Sequence, residues 1–273
     1  MAKDKEEAEQ KDAEERTAPS GKVVYHAILK EGEGELERSS SALFWSGLAA
    51  GLSMGFSMIA EGLLTTYLPD ASWRPLVAKF GYTIGFLIVI LGRQQLFTEN
   101  TLTPILPLLQ RKPIASVGNV LRLWIIVLVA NLLGALLIAI TVAHTSAFDA
   151  EVQQAFAAIG QKAVDQDFGT ILLRGIFAGW LIALMVWLLP YAESARIWVI
   201  ILITYLVGVG EFSHVIAGAV ETFTLAAMGD ISWTNVLGGY LAPTLIGNII
   251  GGVMLTAALN HAQIVSDDDS KDL

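Results

Sequence analysis

His214 stands in GEFSHVIAG, residues 210–218, in the middle of the apolar run RIWVIILITYLVGVGEFSHVIAGAVETFTLAA. Glu211 and Ser213 lie beside it, with glycines at 208, 210 and 218. Imidazole exchanges a proton near neutral pH more readily than any other side chain. A polar group inside such a run either hydrogen-bonds a neighbouring helix or lies on a path for an ion or a proton. A second polar break, GRQQLFTENTLTP at 92–104, sets Arg93, Gln94, Gln95, Thr98, Glu99 and Asn100 inside another apolar stretch, which also holds Pro104 and Pro107. Little other chemistry is on offer. His26, His144 and His261 do not group with His214, and there is no cysteine for thiol catalysis, disulfides or thiolate metal sites. Phosphate-loop, zinc-protease and serine-hydrolase motifs are missing, as is a basic patch suited to nucleic acid. No enzyme, cofactor or metal is expected.

The elements that must hold these breaks follow from composition. Of 273 residues, 54% are hydrophobic and 16% charged, and a mean hydropathy of +0.57 is too high for a soluble domain of this size. Runs near 41–64, 76–109, 119–143, 170–190, 197–227 and 235–259 each reach the roughly 20 helical residues needed to cross a ~30 Å hydrocarbon core. The net charge of −9 sits mainly in the tails: residues 1–38 carry −4 and 266–273 carry −3. Residues 1–38 read as a solvated, disordered cytoplasmic tail, 39–262 as a six-helix pore domain and 263–273 as an acidic cytoplasmic tail. Six spans place both ends on one side, and the Lys and Arg of the polar N-terminal segment argue for the cytoplasm.

Each polar break falls in the middle member of a group of three spans. Three is odd, so the two groups run in opposite orientations. Broken helices at matching places in inverted halves point to a path at the bilayer midplane, since irregular backbone is tolerated there only where protein or a water-filled cavity covers it. Between spans three and four, Phe148, Val152, Phe156 and Ile159 have the spacing of a short amphipathic helix on the outer face. Lys162 near its end either snorkels or raises local anion concentration, and Arg174 reads as structural. Thr98 and Gln95 either satisfy freed backbone groups or contact a solute. Asn131, Asn248 and the glycines spaced three or four apart read as helix-packing groups.

In this order the motifs GRQQLFTENTL, ANLLGALL, LLRGIFAGWLIALMVW, VGVGEFSHVIAG and PTLIGNIIGGVML resemble the formate/nitrite transporter family over about residues 40–260. The resemblance implies an all-α integral membrane protein with six transmembrane helices, an aquaporin-like inverted 3+3 repeat and broken helices two and five. It also implies a homopentamer in the bacterial inner membrane, each protomer with its own pore for small monovalent anions of weak acids. The family's F-E-H-S-x-A-N motif puts its histidine at His214. Its second-span LFT matches Leu96, Phe97 and Thr98, which makes Thr98 the pore threonine opposite the histidine. Tyr82, Phe86, Val207 and Phe212 are the implied constriction residues, and Lys162 is the vestibule lysine.

Four positions depart from the family pattern: Ser213 and Gln95 replace acidic residues, while Gly179 and Gly218 replace asparagines. On this reading Lys162 attracts the anion, the rings exclude water, and His214 supplies a proton so that the neutral acid crosses. Glycine at 179 and 218 suggests an alternative, a wider or more apolar centre that passes a larger or neutral solute. A third reading is a non-transporting membrane scaffold with acidic recruiting tails.

Overall fold

The computed structural model describes residues 20–111 and 114–269, all of whose regular elements are helical; residues 1–19, 112–113 and 270–273 lie outside it. Helix α1 (Gly21–Glu37) precedes the spans. Its bounds correct the expectation of disorder for residues 21–37, the part of that expectation on 1–19 lying outside the described residues: Tyr25, Ile28, Leu29 and Gly32 form a buried face. The face meets Leu102, Ile105 and Leu106, and its i, i+3, i+4, i+7 spacing is that of a helix covering a core. A Cβ at Gly32 would come 2.0 Å from the Thr103 carbonyl oxygen, so only glycine admits this approach.

Span one is α2 (Ser40–Tyr67). Span two is α3 (Arg74–Leu91), an irregular stretch containing a 3-10 turn at Glu99–Thr101, and α4 (Ile105–Arg111). Span three is α5 (Ile114–His144). The amphipathic helix expected after it is α6 (Ala150–Val164), with Val152, Phe156 and Ile159 buried. Span four is α7 (Phe168–Leu188). Span five is α8 (Arg196–Val209) and α9 (Val215–Met228), parted by residues 210–214. Span six combines a π-helical segment Asn235–Leu241, α10 (Ala242–Ile249), a second π-helical segment Ile250–Ala258 and α11 (Leu259–Asp269), so the acidic segment begins inside a helix. Among the described residues, five helices are individually long and apolar enough to cross a membrane; α8 and α9 divide the remaining span between them.

The halves pack alike. Span one lies on span three as span four lies on span six, and the broken spans cross between halves, α3 against α8 and α9 against α5. Small residues permit these contacts. A Cβ at Gly51 would lie 2.1 Å from the Asn131 carbonyl oxygen, and one at Gly179 would lie 2.3 Å from that of Asn248.

Candidate functional site

Each break is held open by one asparagine from the last span of its own half. Asn131 Nδ2 donates to the carbonyls of Gly47 (2.7 Å) and Gln95 (2.9 Å), and its Oδ1 accepts the Phe97 N–H at 2.9 Å. Asn248 Nδ2 donates to Gly175 and Ser213, both 2.8 Å, and its Oδ1 accepts the Val215 N–H at 2.9 Å. Both asparagines are fully buried. Backbone groups released from a helix inside hydrocarbon need partners; four of these bonds supply them, and the two to Gly47 and Gly175 tie each asparagine to the first span of its half. Arg93 (φ 50°) and Glu211 (φ 51°) take the left-handed conformation at matching places, two residues before Gln95 and Ser213. Such a backbone is strained for a side-chain-bearing residue, and its recurrence is the inverted repeat seen at single-residue scale.

The breaks meet at one polar contact. His214 Nε2 lies 2.8 Å from Thr98 Oγ1, and both residues are buried. His214 is also the N-cap of α9, its Nδ1 accepting from the N–H groups of Ile216 (3.3 Å) and Ala217 (3.2 Å). A nitrogen that accepts two N–H groups cannot itself carry hydrogen, which assigns the neutral tautomer protonated on Nε2 and donating to Thr98. Phe86 meets the imidazole edge-on at 5.0 Å, and Tyr82 lies tilted against Phe86 at 5.4 Å.

Two cavities approach this contact from opposite sides. One, of about 200 Å³, reaches Tyr82, Val207, Ser213, His214 and Gly218 from the side opposite the termini, with Lys162 and Arg174 on its wall. The other, of about 480 Å³, lies beneath α1 and reaches Ile90, Gln95, Glu99 and Thr103. Along α3, Tyr82 borders the first cavity and Ile90 the second. Phe86, one turn from each, is fully buried and separates them.

The remaining expected site residues scatter around this centre. Val207 is buried on the far-side cavity wall, and Phe212 stacks on Phe177 at 5.3 Å beside it. Leu96 and Phe97 turn into the core, Phe97 edge-on to Trp124 at 5.7 Å. Gln95 belongs to the terminal-side cavity, where its Oε1 accepts from Asn100 at 2.9 Å and its Nε2 donates to Glu35 at 3.2 Å. Lys162 is two-thirds exposed and 4.0 Å from Glu211, whose other oxygen lies 3.5 Å from Arg174.

The two glycine departures do not widen the centre. Gly179 abuts Asn248 backbone, as Gly51 abuts Asn131, so an asparagine there has no room. A Cβ at Gly218 would fall 1.8 Å from Tyr240 Oη. The Tyr240 hydroxyl therefore fills the space an asparagine side chain would take, within reach of the Ser213 side chain. Tyr240 belongs to the first π-helical segment of span six, and nothing in sequence spacing links it to residue 218. Glu61, Lys79 and Glu221, which also line the far-side cavity, come from three different spans and escape sequence reasoning for the same reason.

The family model for formate/nitrite transporters matches residues 22–262. The chain belongs to the formate/nitrite transporter family. The match takes in α1, beyond the 40–260 that the motifs suggest. An inner membrane protein of Escherichia coli (strain K12), YfdC, is 40% identical over 271 residues, covering 99% of this chain and 87% of the relative. The formate channel BtFdhC of Bacillus thuringiensis is 23% identical over 239 residues, 84% of this chain and 89% of that one. Among solved structures, a pentameric formate channel with formate bound superposes with a TM-score of 0.69 at 20% identity, covering 83% of this chain and 98% of the other. That likeness establishes the aquaporin-like fold of the family. As a member of it the chain is a membrane transport protein and not an enzyme.

Proposed function

We propose that the chain carries small monovalent anions of weak acids, with formate and nitrite as its chemical models, across the bacterial inner membrane. The observation that carries this reading is the His214–Thr98 contact at 2.8 Å, the one polar bridge between two breaks that separate two cavities. A bare anion pays heavily to leave water, and the ring pair Tyr82 and Phe86 makes the passage dry. Lys162 and Arg174 at the far-side mouth raise the local anion concentration. The names of the relatives support the cargo class and the membrane, and the pentameric structure supports a homopentamer with one pore per protomer. Exposed apolar side chains such as Trp45, Trp198 and Leu202 suit contact with lipid or with neighbouring protomers. Both termini lie in the cytoplasm on this reading, which makes the cavity under α1 the cytoplasmic one.

The role expected for His214 as proton donor is narrowed by its cap. A second proton would have to occupy Nδ1, where two N–H groups already point, and would cost the α9 cap. His214 therefore serves as a fixed hydrogen-bond donor through Nε2, handing Thr98's place to the passing solute. In liposomes, His214→Asn keeps an acceptor for the cap and a donor for the solute, and should retain more formate flux than His214→Ala. Loss of an N-cap also costs about 1 kcal/mol of stability. Equal and complete loss of flux in both variants, with folding intact, would restore the proton-relay role.

A further inference from the structure

The far-side cavity holds one more buried carboxyl than its buried cations neutralise. Glu61 on α2 is 4% exposed; its Oε1 is 2.5 Å from Lys79 Nζ on α3, and its Oε2 is buried with no hydrogen-bond partner among the described residues. Glu221 on α9 is 9% exposed and borders the same cavity as Glu61 and Lys79. The close crossing of α2 and α3, where a Cβ at Gly81 would lie 2.3 Å from the Glu61 nitrogen, forces this meeting of charges.

The surrounding cations are engaged elsewhere. Arg74 pairs with Asp70 at 3.1 Å, and Lys162 and Arg174 lie 4.0 and 3.5 Å from Glu211. Tyr82, Tyr240 and His214 add hydroxyls and a ring to the cavity wall but no second cation. Two carboxylates beside one ammonium, away from bulk water, cannot both stay ionised at low cost, and such a pair retains one proton.

His214, Gly218 and Glu221 recur at i, i+4 and i+7, so they share one face of α9, and all three border this cavity. Glu221 stands two turns, roughly 10 Å, from His214 along the helix. Tyr82 borders the same cavity, so an anion that enters it meets the Glu221 carboxyl on the side of the rings where it arrives.

We propose that Glu61, Lys79 and Glu221 form a proton-binding site in the far-side cavity that supplies the proton an entering weak-acid anion takes up. The carboxyl O–H of the pair breaks and a new O–H forms on the anion. The carboxylate left behind is held by Lys79 until far-side water reprotonates it. The neutral acid then passes Tyr82 and Phe86 and accepts the His214 hydrogen bond. This inference rests on the weak-acid reading above and supplies the proton that a capped His214 does not.

The test uses the full chain in liposomes, with labelled formate and nitrite as probes, an internal pH dye, and infrared spectra of the same samples across pH. The wild type should take up a proton with each anion and show a titrating protonated-carboxyl C=O band. Glu221→Gln and Glu61→Gln should each remove or shift that band and slow proton-linked uptake by at least about tenfold. Lys79→Met, which deletes the cation paired with Glu61, should move the band to higher pH, and this keeps the proposal testable if a glutamine variant fails to fold. Wild-type flux with no titrating band, or flux unchanged in Glu221→Gln, overturns the proton site. A titrating band altered by these variants, in a protein that moves neither probe, supports the site and removes the weak-acid reading instead.

Discussion

At the scale of single residues, the centre of the molecule is built by substitution of one polar group for another. Gly218 removes a side chain, and the Tyr240 hydroxyl from span six occupies that space. Gly218→Ala would drive a methyl into the phenol, and overpacking of this kind costs about 1–3 kcal/mol. Tyr240→Leu on the same background opens the space again. Thermal unfolding in detergent should therefore show Gly218→Ala destabilised and the double variant recovered, a coupling that a double-mutant cycle measures. Additive effects of the two changes would remove Tyr240 from this role. The histidine and threonine were readable in the sequence because each lies in a polar break that no apolar run otherwise contains. Tyr240 was not, because residue 240 reaches residue 218 only through the packing of spans five and six.

At the scale of elements, the breaks persist because Asn131 and Asn248 each make two hydrogen bonds to backbone that a helix would have paired internally, and a third to a carbonyl of the neighbouring span. Read from sequence they were packing groups; their place in the fold makes them the fasteners of the pore. Truncating either leaves one buried N–H and one carbonyl of the break without partners, at about 1–3 kcal/mol for each group left unpaired. Relaxation within the membrane reduces the sum. Asn131→Ala and Asn248→Ala should lower stability by similar amounts, about 2–4 kcal/mol on this basis, read as resistance to denaturant in micelles. A neutral outcome for one of them would break the equivalence of the halves. The breaks themselves, their pairing, and the amphipathic α6 followed from where polar residues interrupt apolar runs. The meeting of Glu61 with Lys79 did not, because helix-crossing register is set by close-packed glycines, and no periodicity within one span encodes the neighbour it meets.

At the scale of the whole molecule, two cavities, each lined by both acidic and basic residues, flank the buried ring Phe86, and α1 closes the terminal-side one. Sequence polarity hid this helix, since its apolar face is only four residues wide. Its docking depends on Glu35, whose oxygens accept hydrogen bonds from Thr103 and, at 3.2 Å, from Gln95. Burial under α1 is the main cause that raises the Glu35 carboxyl to about 7; the Thr103 and Gln95 bonds oppose it, and nearby Glu31 adds to it. The sign follows directly. A carboxyl that holds its proton more tightly when docked than when free stabilises docking fully below its ordinary value near 4.5, and that contribution disappears as pH rises through about 7. The chain has no cysteine, so Lys30→Cys on α1 gives a unique spin-label site. Label mobility should rise between pH 5 and pH 8 in the otherwise unchanged chain, as ionisation makes burial of the Glu35 carboxylate unfavourable and the helix lifts to return it to water. Glu35→Gln keeps the docked contacts without the titration, and should hold the label immobile across that range. Equal pH dependence in both chains would assign the loosening to another group and leave Glu35 a structural contact only.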